Sequence, residues 1–188
     1  MLPTDRRNFL KTSGFISLGM LMYAACELKD KKMPVLLVVS GWQDVNIGDI
    51  AHTPGLLSVL QRYIPQAKII LWKRSKSDDV QRLLKQNFPE VEIVYGNVDD
   101  EKNVDSLSVT DAFEKADLMI HGSGPSVVGK TNLEAWQKHT LKPFGIFGVT
   151  IQSVDVELKL LLEKATFIFT RETKSIAVLK ENGLIGDH

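Results

Sequence analysis

The sequence predicts an α/β fold built on an open, parallel, Rossmann-like sheet. From Pro34 onward, short apolar runs alternate six times with patterns typical of helices. The first run, "VLLVVS" (Val35–Ser40), is apolar and rich in β-branched residues up to its serine, as expected of a strand covered on both faces. Strands that alternate with helices form parallel sheets through right-handed crossovers. A closed eight-unit barrel would need more than these 188 residues.

The predicted first helix follows the first strand. Thr53 and Pro54 predict its start, because a capping side chain followed by proline in the first turn is a common helix beginning. Leu56, Leu57 and Leu60 belong to its buried stripe. The segment "SGWQDVNIGDIAHTPG" between strand and helix is therefore predicted to contain a long loop.

The remaining units repeat the pattern of strand and helix. The further strands are predicted at "AKIILW", "VEIVYG", "DLMIH", "PFGIFGVTI" and "TFIFT". The further helices are predicted at "DDVQRLLKQNF", "VTDAFEKA", "TNLEAWQKHT", "VELKLLLEKA" and "KSIAVLKENG". In the last of these helices, Gly183 is the stop signal. No long linker interrupts the series, so residues 34–188 are expected to form one domain.

The composition excludes a basic nucleic-acid binder. Lys and Arg together number 23, as do Asp and Glu, so the formal net charge is +0. A protein that binds nucleic acid would show a basic face or stripe. Hydrophobic residues make up 44% of the chain, which is ordinary for a globular protein.

The N-terminus is predicted to be an export signal rather than part of the fold. Arg6 and Arg7 precede the short apolar run "GFISLGMLMYAA", so residues 1–25 resemble a twin-arginine signal. A buried or interfacial helix is the alternative interpretation. Cys26, the one cysteine, is a candidate for lipidation, and ordinary signal cleavage nearby is its alternative. Residues 26–33 are predicted to be a charged tether. The protein is expected in the periplasm or cell envelope, with or without a lipid anchor on the membrane.

The first of three unusual loops is "GWQDVNIGD", which follows the first strand. In an open parallel sheet, ligands bind outside the carboxyl ends of the strands, which is where this loop lies. We expect Gly48 to allow a positive φ or the close approach of a ligand. Asn46 and Asp49 are candidates for binding hydroxyl groups, or they brace the loop itself. A metal held by Asp44, Asp49 and His52 matches no defensible spacing, so no metal site is predicted.

The second unusual loop, "HGSGPSVVGK", follows the fourth strand. Gly122, Ser123 and Gly124 predict a compact turn whose exposed N–H groups suit phosphate or sugar oxygens. The loop is neither a phosphate-binding Walker loop nor a dinucleotide fingerprint. His121 is predicted to be a strand-end histidine bonded to backbone in preference to a catalytic base.

The third unusual loop, "TRETKS", follows the sixth strand. The planar guanidinium of Arg171 suits a carboxylate or a phosphate. Glu172 is expected to hold that arginine in place or to form an ordinary surface pair with it. No catalytic residue is predicted in any of the three loops.

Together the three loops resemble the polysaccharide pyruvyl transferase family. "NIGD" is similar to that family's Asn-x-Gly-Asp loop, and "ADLMIHGSG" is similar to its strand running into a glycine-rich turn. "TRETKSIAVLKENG" resembles its Arg-Glu/Asp-x-x-Ser segment with a following Leu-Lys-x-x-Gly. The resemblance covers the chain from Val35 to about Gly183.

This resemblance implies transfer of a pyruvyl group from phosphoenolpyruvate to a sugar of a cell-surface polysaccharide, with no cofactor. It also implies a glycosyltransferase-B-like pair of Rossmann-like domains facing a cleft. The chain ends at His188, so it looks like the N-terminal half, and a second domain or a dimer partner is expected to complete it. Asn46, Gly48 and Asp49 would then line the cleft on the acceptor side. This half alone is expected to be inactive.

Two other functions stay open at the level of sequence. One is a carbohydrate-binding envelope lipoprotein without catalysis, which would bind the same glycan independently of phosphoenolpyruvate. The other is a nicotinamide-dependent oxidoreductase, which the missing dinucleotide fingerprint disfavours.

Overall fold

The computed structural model of the protein describes residues 33–184. The predicted export signal (1–25), Cys26 and the tether up to residue 32 lie outside these residues. The strands are β1 (Val35–Ser40), β2 (Lys68–Lys73), β3 (Glu92–Val94), β4 (Leu118–His121), β5 (Phe144–Val149) and β6 (Phe167–Thr170). The helices are α1 (Ile47–Tyr63), α2 (Asp78–Asn87), α3 (Leu107–Lys115), α4 (Lys130–Thr140), α5 (Val156–Leu162) and α6 (Thr173–Glu181).

The six strands form one open sheet in the order β3-β2-β1-β4-β5-β6, and every pairing is parallel. This confirms the predicted α/β fold class. The strand order reverses between β1 and β4, which lie side by side. Such a reversal opens a crevice at the carboxyl ends of the two strands, where ligands bind in folds of this kind.

The sheet is covered on both faces. On one face Trp72 of β2 packs edge-on against Phe113 of α3 at 5.6 Å between ring centroids, and Phe113 packs on Trp136 of α4 at 5.3 Å. On the other face the Ser40 hydroxyl lies 2.9 Å from that of Thr53 in α1. Because side chains alternate between the faces of a strand, this places α1 opposite α3 and α4.

Helix α1 corrects the predicted helix start. It begins at Ile47 and not at Pro54, which lies inside the helix. Asn46 is the capping residue, and its Oδ1 accepts a hydrogen bond of 2.9 Å from the Asp49 N–H. Thr53 is buried and bonds to Ser40, so it has no capping role. Pro54 has no backbone N–H, so α1 lacks one helical hydrogen bond at this residue.

Among the described residues, no helix has both the length and the apolar character needed to cross a membrane.

Candidate functional site

Trp42 joins the first and second loops at the crevice between β1 and β4. Its indole Nε1 donates a hydrogen bond of 2.7 Å to the Ser123 carbonyl oxygen. Its ring lies 4.8 Å from the imidazole of His121, centroid to centroid. Gly129 lies against both rings, and a Cβ there would be 3.0 Å from Trp42. The structure therefore brings two of the three predicted loops into direct contact through a tryptophan that the sequence interpretation did not single out.

The glycine-rich loop differs from its predicted form. The Gly122 N–H donates to the Val39 carbonyl at 2.9 Å, and the Gly124 N–H donates to the Gly148 carbonyl at 3.4 Å. The Ser123 hydroxyl also donates to Gly148, at 2.7 Å. The expectation that both glycine N–H groups are exposed is therefore wrong, because neighbouring carbonyls already accept them. A ligand at this loop would therefore contact the partly exposed Ser123 in preference to a cluster of free backbone N–H groups.

Gly122 is needed for packing inside the protein. A Cβ at this position would lie 2.8 Å from Ser40 Oγ, closer than real Cβ contacts allow. The Ser40 hydroxyl is itself fixed by Thr53 of α1. The glycine therefore lets the second loop lie directly on the end of β1.

His121 is a buried, neutral side chain. It has 0% exposure, and its Nε2 accepts a hydrogen bond of 2.9 Å from the Gly129 N–H. This confirms the predicted bond to backbone. Burial lowers the pKa of the His121 imidazole to about 4, because the charged form loses its hydration. His121 is therefore not a proton donor near neutral pH.

Lys73 is a charged residue of this region that the sequence interpretation missed. Its side chain is 0% exposed and its ammonium is 2.7 and 2.6 Å from the two carboxylate oxygens of Asp44. It also donates to the Ser75 carbonyl. Its signal in the sequence was a lysine directly after the apolar "IILW" run. Asp44 is thus bound to a lysine, and residues 33–184 contain no group of three metal-ligating side chains.

Asn46 caps α1, and Gly48 and Asp49 lie in the first turn of that helix. The Asn46 amide donates to Asp49 Oδ2 at 2.6 Å, so the two side chains brace each other. Gly48 is helical and has no positive φ, so the first of its two expected roles is wrong, and the close approach of a ligand stays a prediction. Gly41 in the same loop has φ of 71°. Val45 and Ile47, on either side of Asn46, are 81% and 80% exposed.

Arg171 lies at the end of β6 with an exposed side chain. Its backbone N–H donates to the Val149 carbonyl at 3.0 Å. Glu172 accepts hydrogen bonds from the Thr150 hydroxyl at 3.2 Å and the Ser175 hydroxyl at 2.5 Å. Both predicted pairings of Glu172 with Arg171 are therefore wrong, because that carboxylate is bound to two hydroxyl groups.

The end of β5 connects the second and third loops. The Thr150 N–H donates to the Gly124 carbonyl at 3.2 Å, and the Val149 carbonyl accepts the Arg171 N–H. The predicted residues therefore form a row along the carboxyl edge of the sheet. Gly122, Ser123 and Gly124 follow β4 at the crevice, and Arg171 follows β6, two strands away. Asn46, Gly48 and Asp49 follow β1, the other strand of the crevice.

Solved structures with similar chains include UDP-GlcNAc 2-epimerase from Neisseria meningitidis, at 13% identity and a TM-score of 0.40 over 92% of this chain. The glycotransferase of kitacinnamycin is 15% identical over 82% of this chain, with a TM-score of 0.42. The protein Sa239 is 10% identical over 80% of this chain and 68% of its own, with a TM-score of 0.43. This chain spans only 42% of the epimerase and 36% of the glycotransferase.

Comparison with protein families gives a match that covers most of the chain. No curated protein sequence matches this chain. The family model described as polysaccharide pyruvyl transferase matches residues 46–186, a span that contains Asn46, Gly48, Asp49, the glycine-rich loop and Arg171. The chain therefore belongs to the polysaccharide pyruvyl transferase family.

Proposed function

We propose that this protein takes part in the transfer of a pyruvyl group from phosphoenolpyruvate to a sugar of a cell-surface polysaccharide. The observation that carries the proposal is the family match over residues 46–186. The row of predicted residues along the carboxyl edge of the sheet supports it, since this edge is where open parallel sheets bind ligands.

On the acceptor side, the proposed contacts are Asn46, Asp49 and Ser123. Asn46 is exposed, and Asp49 and Ser123 are partly exposed. The mutual hydrogen bonds of Asn46 and Asp49 leave oxygen lone pairs that can accept from sugar hydroxyls. Gly48 and Gly124 would act through their small size, by keeping side chains out of the path of the sugar, and Gly122 would act by letting the second loop lie on β1.

On the donor side, the proposed contact is Arg171. Its guanidinium is exposed and forms no ion pair with any of the described residues, so its planar donors are available to a phosphate or a carboxylate. A cation at this place would also stabilise negative charge on the departing phosphate.

The proposed chemistry balances without a redox partner. A proton adds to the CH₂ carbon of phosphoenolpyruvate, and a sugar hydroxyl attacks the resulting cationic carbon and loses its proton. Inorganic phosphate then leaves and the same carbon becomes cationic again. A second hydroxyl of the same sugar attacks it and gives its proton to the departing phosphate, which closes the ketal. Because His121 is buried and neutral, another group must supply the first proton. We also propose that the described domain is inactive alone and that a second domain or a second copy supplies this group and completes the site.

The test is phosphate release from phosphoenolpyruvate by the natively produced protein, measured with surface polysaccharide from the source cells. The proposal expects release only when the glycan is present, together with a ketal-linked pyruvyl group on the recovered glycan. Arg171→Gln should raise KM for phosphoenolpyruvate, and Lys174→Gln, a charge change at an exposed residue of α6, is the matched control. Glycan-independent release, or none from any native preparation, would contradict the proposal.

A second candidate is a non-catalytic carbohydrate-binding lipoprotein of the envelope. It is favoured by the state of the charged groups around the crevice: Lys73 is bound by Asp44, Lys130 is bound by Glu157 at 2.7 Å, and His121 is neutral. Glycan binding that is saturable, unaffected by phosphoenolpyruvate and never followed by ketal formation would identify this function.

Export to the periplasm or cell envelope is part of the same proposal and rests on residues 1–25 and Cys26. Mass spectrometry of the N-terminus from the envelope fraction would distinguish a lipidated Cys26 from plain cleavage. Retention of the full N-terminus in the cytoplasm would contradict export, and a double Arg6→Lys, Arg7→Lys variant tests the twin-arginine route.

A further inference from the structure

Trp42 occupies the crevice at which the strand order reverses, and its orientation is fixed. Its Nε1–H is bound to the Ser123 carbonyl, and one face of the indole lies against His121 and Gly129. The polar tip of the ring is therefore already used within the protein. What the ring can still offer a ligand is its partly exposed apolar surface.

The surroundings of Trp42 do not favour a charged ligand. The N–H groups of Gly122 and Gly124 already donate to carbonyls, so these two donors of the loop are not available to an anion. The nearby Lys73 is neutralised by Asp44. Val128 is 39% exposed and adds apolar surface. Its side chain lies close to Gly124, beside Trp42, since a Cβ added at Gly124 would be 3.2 Å from it.

We propose that Trp42 is the floor of the acceptor subsite, on which a pyranose ring stacks with its C–H face. This inference rests on the proposed function and deepens it, because it assigns the crevice to the uncharged sugar and not to phosphoenolpyruvate. Trp42 then selects for rings with an apolar face, while Asn46 and Asp49 at the rim select among hydroxyl patterns.

Tryptophan fluorescence tests the proposal directly. The chain has three tryptophans, and Trp72 and Trp136 are 0% exposed, so acrylamide quenching reports on Trp42. The probes are methyl pyranosides of galactose, glucose and mannose, with phosphoenolpyruvate as the charged comparison. We expect at least one pyranoside to protect Trp42 from quenching in a saturable way, and phosphoenolpyruvate to have no such effect. Protection by phosphoenolpyruvate alone, or by none of the probes, would overturn the proposal.

Variants separate stacking from folding. Trp42→Ala should weaken the affinity for the protecting pyranoside roughly tenfold, the scale of a lost stacked ring. Trp42→Phe keeps an aromatic ring but loses the hydrogen bond to Ser123, and should weaken the affinity for the pyranoside less than Trp42→Ala does. Trp136→Phe, the same change in a core tryptophan whose Nε1 binds Lys142 and Pro143 carbonyls, is the control and should leave affinity unchanged.

The failure of this inference is distinguishable from failure of the proposed function. Pyruvyl transfer or calorimetric glycan binding that persists unchanged in Trp42→Phe and Trp42→Ala would overturn the stacking role and leave the function standing. The absence of both transfer and glycan binding in the native protein would overturn the two together.

Discussion

The ammonium of Lys73 lies 2.7 and 2.6 Å from the two carboxylate oxygens of Asp44, and both side chains are almost completely buried. Lys73 is on β2, paired in register with Ser40 of β1, so its position is fixed by the sheet. Asp44 is in the first loop, between Trp42 and Asn46. The ion pair therefore ties the candidate site loop to the rigid sheet beneath it.

Removal of this lysine should destabilise the protein strongly. Lys73→Met leaves the Asp44 carboxylate buried and unpaired, and we expect a loss of about 3 kcal/mol in the free energy of unfolding. The double variant with Asp44→Asn should recover part of the loss. Urea unfolding followed by circular dichroism measures both. Lys68→Met is the control, since its pair with Glu92 is 50% and 39% exposed and should contribute less than about 1 kcal/mol. Equal losses in Lys73→Met and Lys68→Met would contradict this account.

Two glycines should respond in opposite directions to the same substitution. Gly41 has φ of 71°, and a Cβ there would lie 2.8 Å from the Cγ of Lys73. Gly41→Ala is therefore expected to cost about 1–3 kcal/mol. Gly55 lies within α1 with nothing within 4 Å of an added Cβ, so Gly55→Ala should stabilise by about 0.5–1 kcal/mol. Thermal unfolding of both variants provides the measurement, and destabilisation by Gly55→Ala would contradict the open space beside this face of α1.

His121 should make stability depend on pH. Its pKa is about 4 in the folded protein against an ordinary value of 6.5, so below pH 6.5 the unfolded chain binds a proton that the folded chain does not. Stability is then full above pH 6.5, falls as the pH drops towards about 4, and changes no further through this group below that. The total effect is about 3 kcal/mol.

Comparison of variants isolates this effect. His121→Gln can still accept from the Gly129 N–H and should lose the pH dependence between 6.5 and about 4. His139→Gln changes an exposed histidine and should retain it. Identical pH profiles of unfolding free energy for wild type and His121→Gln would refute the assignment.

The capping and binding roles of Asn46 can be separated. Asn46→Ser keeps an oxygen that can accept from the Asp49 N–H, so stability should change little, whereas Asn46→Ala should cost about 1 kcal/mol. If Asn46 also contacts the acceptor, both variants should weaken glycan binding measured by calorimetry, as should Asp49→Ala. Wild-type affinity in Asp49→Ala would remove this residue from the site.

The alternation of apolar runs with helical patterns was enough to predict the sheet, because "VLLVVS" is apolar on both faces and the later runs are largely apolar. The start of α1 could not be predicted in this way. Thr53 and Pro54 carry a capping pattern, but the Thr53 hydroxyl bonds to Ser40 of the sheet and does not cap the helix. The Lys73–Asp44 pair and the Trp42–Ser123 bond join residues far apart in sequence. Their partners depend on strand order, which local patterns do not give.

An NMR map of glycan binding tests the proposed acceptor site at the level of single residues. The isotopically labelled protein would be titrated with surface polysaccharide from the source cells, following backbone amides and the three tryptophan indole N–H signals. We predict shifts at Trp42, Asn46, Asp49 and Gly122–Gly124, with the signals of Trp72 and Trp136 unchanged. Shifts confined to another surface, such as the groove of about 390 Å³ lined by Thr110, Phe113 and His139, would contradict it, as would no shifts at all.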